Sequence, residues 1–499
     1  ETALQAAADG MRAVIDAHGA DLMGVLVSPN ATLEEMVLTQ AVARGAGIQN
    51  IDHRLRQVDF SDQENAPLCP SLGQSLAALE TVNAALFIGG NPRKDQPIIG
   101  HRLRKAAVAG AQVMFVNPVD YEFLFDVHAQ AVVPPSQMTA TLAAVAACFP
   151  DAGSKATEAV REAISAAAPD DTHRNMAQAL QEADTATVLL GNVAMAHPQF
   201  SLIKALAGVI AAASGATLGV LTDGANGAGG WLAGVLPHRG PAGTAVSTAG
   251  LDAQAMLAAP RKGYLLFGVE PADDCANAGQ ANKALDAAEF VVSIGTFASD
   301  AMKAQADVLL PTGPFTETSG TYVNTEGRWQ SFSGVATPKD DSRPGWKVLR
   351  VLGNQLGLDG FEQHSSEEIR DALREQAGTM QLDNSQPAGA VAGAEASDGL
   401  ERIGDVSINA ADALLRRAPA LQATPDAAVA GLLRLNAAQA EKSAVEDGHT
   451  VTVKQGAAST TMAVEISARV PDGCVWVQAG TTAAASLGAN FGPITIERA

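Results

Sequence analysis

Cysteine is the first scarcity in this sequence. The 499 residues hold four, Cys69, Cys148, Cys275 and Cys474, and no two form a CxxC or CxxxC pair. That spacing excludes a locally encoded zinc or iron–sulfur site in this stretch, and it fits a reducing compartment where thiols stay free. Nine histidines form no HxH or HxxxH pair, so local spacing offers no other metal site. No GxSxG marks a nucleophile elbow, and no GxGxxG marks a classical dinucleotide loop.

Positive charge is also short. Lys and Arg number 33 against 54 Asp and Glu, a formal net charge of −21, with no basic stripe, so nucleic acid and anionic lipid are poor partners. Uninterrupted apolar runs are missing as well. The stretch FSLIKALAGVIAAASGATLGVL from Phe200 is broken by Lys204 and by Ser214-Gly215, and reads as a helix followed by a strand rather than a membrane span. No signal-type segment opens the chain, which starts at Glu1 without methionine and is expected to be a piece of a longer polypeptide.

What is present is apolar and repetitive. Hydrophobic residues make up 47% and charged residues only 17%, which at this length means several large buried cores and not a disordered tail. Seven short apolar runs, at 22–28, 84–90, 111–117, 185–191, 217–222, 264–270 and 290–295, each lead into a loop and most then into an Ala-rich helix. Continuous apolar strands alternating with helices predict parallel sheets covered on both faces. Three strand ends are unusually loop-like: IGGNPRKDQP (88–97), LTDGANGAGG (221–230) and FGVEPADDCANAG (267–279). Taken singly each suits a tight turn and helix cap; together they favour two related α/β units facing a shared cleft.

A further strand, Asp307–Leu310, is predicted to end at Pro311 and to run on as an extended loop punctuated by Gly313, Gly320 and Gly327. Glu317, Asn324, Glu326 and Arg328 bring acceptors and a planar donor fork to that loop. They suit either a lining beside a large cofactor or a buried polar network pinning the loop. Residues 424–444 are predicted as a helix, and HTVTVKQG, TTMAVEIS, GCVWVQA and PITIER alternate with period two, which predicts a small β-barrel.

At this point the residues carry a resemblance. DVLLPTGPFTETSGTYVNTEGRWQSFSGVATPKDDSRPGWKVLRVLGNQLG, IGGNPRKDQPIIGHRLRKA, LLFGVEPADDCANAGQANKALDAAEFVV and the tail from Val470 resemble the molybdopterin oxidoreductase superfamily. The GVEPADD and GNPR variants resemble, within it, the large G subunit of bacterial respiratory NADH:quinone oxidoreductase, complex I. The fold implied is two Rossmann-like parallel-sheet α/β units around a cleft plus a small C-terminal β-barrel. Its segments would be a first part of one unit at 1–69, an inserted unit at 70–245, the second part at 246–376, a linker or surface loop at 377–400 and the barrel at 401–499.

The function implied is a peripheral-arm subunit in electron transfer from NADH to quinone, on the cytoplasmic side of the bacterial inner membrane. Its partners would be the flavin- and cluster-bearing subunits. [4Fe-4S] and [2Fe-2S] clusters are expected in a region preceding Glu1, and no cofactor within these residues. Molybdopterin is expected to be absent, because the loops offer mainly Arg93, Lys94 and Arg328 to an anionic dinucleotide while GVEPADD adds acid. On that reading the chain is not itself catalytic and the cleft is vestigial. Its candidate residues are Asn91 and Arg93, then Asn226 and Glu270, and in the glycine-punctuated loop Glu317, Gly320, Asn324, Gly327 and Arg328. The alternative is an active molybdenum or tungsten bis-pterin oxidoreductase of the formate dehydrogenase type, with Cys69 as metal ligand. A third reading, from another class, is a non-redox scaffold, which a cluster-type cysteine pattern upstream would exclude.

Overall fold

The computed structural model describes residues 1–154, 156–380, 382–385, 389–393 and 399–498. Ten strands build two parallel sheets: β1 Met23–Val27, β2 Ile51–Asp52, β3 Ala84–Ile88, β4 Gln112–Asn117, β5 Ala129–Val132, β6 Ala186–Leu190, β7 Thr217–Val220, β8 Gly263–Phe267, β9 Phe290–Gly295 and β10 Val308–Pro311. An antiparallel pair follows, β11 Gly320–Val323 and β12 Trp329–Phe332. The last six are β13 Leu400–Ile403, β14 Leu433–Leu435, β15 Thr450–Gln455, β16 Ala458–Ile466, β17 Cys474–Trp476 and β18 Phe491–Arg498.

The chain forms two compact units. One comprises Glu1–Arg56, Asp223–Gln381 and Asp412–Leu414; the other comprises Gln57–Thr222, Leu382–Ala411 and Leu415–Ala499. In the first unit the sheet order is β10-β9-β8-β1-β2, all parallel. The chain starts at β1, steps to the edge as β2, then returns to the other side of β1 as β8. In the second unit the order is β5-β4-β3-β6-β7, again all parallel, with β3 in the middle. Each sheet therefore reverses its winding beside its first strand, between β1 and β8 in one unit and between β3 and β6 in the other. At such a reversal the two following loops diverge and leave a crevice at the carboxyl ends of the strands.

Six of the seven apolar runs are interior strands of their sheets, and the seventh, β7, is an edge strand. All five residues of β1, β3, β6 and β8 are buried. In the second unit Leu86, Ile88, Met114 and Leu190 pack on one face with Leu142, Leu206 and Ile210, while Phe87 and Phe115 pack on the other with Leu79 and Leu103. Phe200–Ser214 is a helix and Thr217–Val220 a strand, so the longest apolar stretch serves this core. Among the described residues no helix is long and apolar enough to cross a membrane.

The barrel is closed, in the order β13-β17-β14-β16-β15-β18. The predicted helix over 424–444 is interrupted there. Pro425–Ala430 and Ala437–Lys442 are short helices, and between them Leu433–Leu435 is a strand whose residues are fully buried and pair with β16 and β17. Without that strand the barrel would have two open edges. Within the second unit the barrel packs on the α/β part through Ile403, Trp476 and Phe491 against Val119, Tyr121 and Val193. The expected loop at 377–400 lies partly outside the described residues. Of those described, Asn384 is pinned by Nδ2 donation to the carbonyls of Ser71 (2.7 Å) and Leu218 (2.8 Å).

Candidate functional site

In the second unit the crevice is floored by glycine. β3 ends in Gly89-Gly90-Asn91 and β6 in Gly191-Asn192. Gly89 has φ 61°, and a Cβ there would sit 2.5 Å from the Ala194 nitrogen; a Cβ on Gly191 would sit 2.5 Å from the Gly89 oxygen. Only hydrogen fits both positions, so the two loops run against each other backbone to backbone. Asn117, the last residue of β4, fixes the first of them. Its Oδ1 accepts from Gly90 N–H at 2.8 Å and its Nδ2 donates to the Gly90 oxygen at 3.1 Å.

Polar side chains then crowd the loop that follows. Asn91 N–H donates to Asp95 Oδ2 (3.1 Å), and Gln96 Nε2 donates to Asn192 Oδ1 (3.1 Å). Asn91 Oδ1 and Gln96 Oε1 are both buried without a hydrogen-bond partner among the described residues. Two orphaned carbonyl oxygens on one short loop cost roughly 1–3 kcal/mol each. Arg93 is engaged elsewhere, with Nη1 3.1 Å from Glu122 Oε2 and donating to the Glu122 carbonyl at 3.2 Å.

In the first unit the crevice lies between Ser28–Thr32, after β1, and Gly268–Glu270, after β8. Gly268 has φ 65°, and a Cβ there would come within 3.2 Å of Ser28 Cβ. Thr32 caps the Leu33–Gly45 helix in a reciprocal box with Glu35, which aims that helix's N-terminal end at the crevice. Glu270 is buried at the entry to a short turn whose Asp274 accepts its N–H at 2.8 Å.

The stretch from Gly320 is a hairpin and not the predicted extended loop. Asn324 builds its turn: Oδ1 accepts from the N–H groups of Glu326 (3.0 Å) and Arg328 (2.9 Å), and Gly327 supplies φ 72°. Asn226 holds the hairpin on the loop after β1. It is fully buried, its Nδ2 donates to the oxygens of Ala31 (2.8 Å) and Thr321 (3.3 Å), and its Oδ1 accepts from Val323 N–H (2.8 Å). Gly320 allows that approach, since a Cβ there would meet Thr32 Cγ2 at 2.4 Å. Glu317 accepts from Lys339 N–H at 3.2 Å, and Arg328 is exposed.

The fold thus gathers Asn226, Gly320, Asn324, Gly327 and Arg328 into one hairpin assembly beside the β1 loop. Asn91 falls on the glycine floor of the other unit. Sequence reasoning passed over Gln96, Asn192 and Asn117. The available signal was the repeat of Gly-Asn after β3 and after β6, IGGN and LLGN, although only the sheet order makes those strands neighbours.

A family model described as molybdopterin oxidoreductase matches residues 1–355. The chain belongs to that family. A Staphylococcus aureus (strain USA300) protein named "Putative formate dehydrogenase" is 41% identical over 69 residues, which is 14% of this chain and 7% of that protein. A like-named protein of strain NCTC 8325 / PS 47 matches to the same extent. The chain therefore aligns with only a small part of those curated relatives. Among solved structures, acetylene hydratase from Pelobacter acetylenicus superposes with a TM-score of 0.70 at 12% identity, covering 100% of this chain and 89% of that one, a likeness of fold.

Membership corrects two expectations. The NADH:quinone oxidoreductase assignment is overturned, because the matches point to molybdopterin oxidoreductases with formate dehydrogenase names. The expected absence of molybdopterin is overturned too, since the family implies that group. Counting charge misled here for a physical reason. Asp274 is not a free negative field: it caps Glu270 N–H and lies 3.8 Å from Arg56, which is also 3.2 Å from Asp223. Recognition of a pterin can instead use amide acceptors and backbone N–H groups.

The residues present fit the organic part of the group. A pterin edge is rich in N–H donors, and Asn91 and Gln96 bring amide acceptors to the loop that follows a floor where only glycine fits. The metal is served less directly. Cys69 is 1% exposed, and burial pushes its thiol up to about 12, so it holds no thiolate at neutral pH. Among the described residues no group of three or more His, Cys, Asp or Glu side chains is placed to hold a metal ion.

Proposed function

We propose that this chain is the pterin-binding core of a molybdopterin oxidoreductase of the formate dehydrogenase type, with formate or a similarly small oxidisable molecule as substrate. The observation that carries the reading is the crevice floor where only glycine fits, at Gly89 and Gly191, with the amides of Asn91 and Gln96 on the loop that follows it. Family membership and the name of the Staphylococcus relatives support it. When bound, a molybdenum pterin group supplies two-electron oxidation and reduction at the metal.

The chain's own part is to hold and orient. Asn91 and Gln96, whose buried oxygens a shift of their loop would bring to the crevice, would accept from ring N–H donors, and Asn117 keeps Gly90 in place so that the loop backbone can approach the ring. In the first unit the Ser28–Thr32 loop and the N-terminal end of the Leu33–Gly45 helix present N–H groups suited to an anionic substituent. With no cluster-type cysteine pattern in these residues, electrons would leave through a cluster or flavin held outside them.

The test is molybdenum, tungsten and pterin content of the full-length protein from its native host, together with formate-dependent reduction of a viologen dye. Near-stoichiometric metal and pterin with dye reduction are expected. Protein that is folded but free of pterin would overturn the reading, and pterin without formate turnover would retain the binding role and reject the substrate.

A further inference from the structure

Glu34 is the second residue of the Leu33–Gly45 helix, in its first turn and 1% exposed, and both of its carboxyl oxygens face the hairpin. Thr321 N–H donates to Oε2 at 2.8 Å, and Thr321 Oγ1 is 2.7 Å from Oε1. Thr321 Oγ1 is in turn 2.9 Å from Ser331 Oγ on the other strand, and Ser331 Oγ accepts from Arg370 Nη1 at 3.1 Å. A single line of hydrogen bonds therefore runs from the Ser366–Ala377 helix through both strands of the hairpin to a carboxyl buried on another helix. It can be drawn in either proton state. An ionised Glu34 accepts from the Thr321 hydroxyl, which accepts from Ser331; a protonated Glu34 donates to Thr321, which donates to Ser331.

We propose that Glu34 is a proton-dependent latch on the Gly320–Phe332 hairpin, so that the proton it carries sets how firmly the hairpin is held on the loop after β1. The latched hairpin keeps the carboxyl out of water, whereas a lifted hairpin would leave it hydrated. Burial of the charged form therefore works against the latch, and the proton relieves it.

The shift agrees in sign. Desolvation pushes Glu34 up to about 7, against which its bonds to Thr321 pull the other way. A group whose pKa is higher latched than free binds its proton more tightly when latched. The latch is thus strongest in acid, below the ordinary carboxylate value, and weakens as pH rises to about 7.

The other charged groups facing the site are few. Glu35, the neighbouring residue, is also buried and also shifted up, chiefly by desolvation. On the Ser366–Ala377 helix Arg370 is paired with Asp371 at 2.7 Å and also faces Glu34 and Glu367, and Arg374 lies over the Trp329 ring of β12. Tyr322 of β11 is pushed up by burial, and faces Glu35, Asp412 and Glu34. The Gly227–Ala233 helix carries no titratable side chain. On the Gly345–Gln355 helix, Lys347 lies over the Trp346 ring and Arg350 donates to the Gln363 oxygen.

The consequence reaches the crevice of the first unit. The hairpin braces the β1 loop through Asn226, through Gly320 against Thr32, and through Tyr322 Oη to the Asn30 oxygen at 3.4 Å. Lifting it frees Asn30–Thr32, where an anionic substituent is placed above. That functional meaning rests on the proposed function; the latch itself does not.

The test is hydrogen exchange of the full chain followed by mass spectrometry, reading the opening equilibrium of residues 320–332 against the β8 strand as an internal control. Between pH 5.5 and 8.0 the opening constant of the hairpin should rise about 30-fold, as the shift from an ordinary carboxylate to about 7 dictates. Glu34→Gln should abolish that rise and Glu35→Gln should leave it. Should Glu34→Gln fail to fold, Thr321→Val serves, since losing the hydroxyl bond moves the midpoint of the rise to higher pH. A pH-independent hairpin in the native chain, a rise that survives in Glu34→Gln, or an unmoved midpoint in Thr321→Val would overturn the proposal. Because the readout needs no ligand, a failure of pterin binding would leave it standing.

Discussion

Asn226 uses both ends of its amide inside the fold, whereas Asn91 leaves its oxygen unpaired. The two should respond oppositely to substitution. Asn226→Ala leaves two buried carbonyls and the Val323 N–H without partners, and should lower stability by about 2–4 kcal/mol in urea unfolding. Asn91→Ala removes an acceptor that nothing in the chain satisfies. Losing that unpaired oxygen should leave the chain at least as stable as the native one, while pterin content in purified protein falls several-fold. An Asn91→Ala variant that keeps full pterin would remove the second-unit crevice from the site. The sequence singled out both asparagines from their glycine-rich loops, and their difference was invisible there. Whether an amide is saturated depends on Ala31, Thr321 and Val323, which lie far from residue 226 in the chain.

Among elements, the hairpin and the barrel show where pattern ends and packing begins. The turn at Asn324–Arg328 could be read as a glycine-bearing polar loop, but the flanking strands are four residues each and too short to announce themselves. Gly327→Val should cost about 1–2 kcal/mol, because only glycine adopts φ 72° freely. Arg328→Ala, at an exposed position, should change stability by less than about 0.5 kcal/mol in the same experiment. β14 is the clearer lesson. Leu433–Leu435 sits inside an Ala-rich, helix-like stretch, and becomes a strand because β16 and β17 need a neighbour to close the barrel. Leu433→Ala should therefore destabilise by about 2–5 kcal/mol, as expected for a fully buried leucine, and calorimetry of the barrel transition would read it.

For the whole molecule, the sequence by itself determined the architecture. Continuous apolar runs of five or six residues between turn signals read as strands buried on both faces, and period-two runs near the end read as half-buried strands. Those are local properties of the chain. Strands as short as Ile51–Asp52, or as open to solvent as Ala129–Val132, left no such trace. Tertiary structure alone decided what the loops do. It set β6 beside β3, so that two Gly-Asn ends meet and leave Asn91 and Gln96 with empty acceptors. It also joined Asp274 to Glu270 N–H and set it 3.8 Å from Arg56, pairings that a charge count does not see. And it buried Glu34 against Thr321 across nearly three hundred residues of chain, turning an ordinary helix-terminal glutamate into a group that titrates near neutrality. Side-chain type is written in the sequence, but desolvation and hydrogen-bond saturation are properties of neighbours, and the neighbours are chosen by the fold.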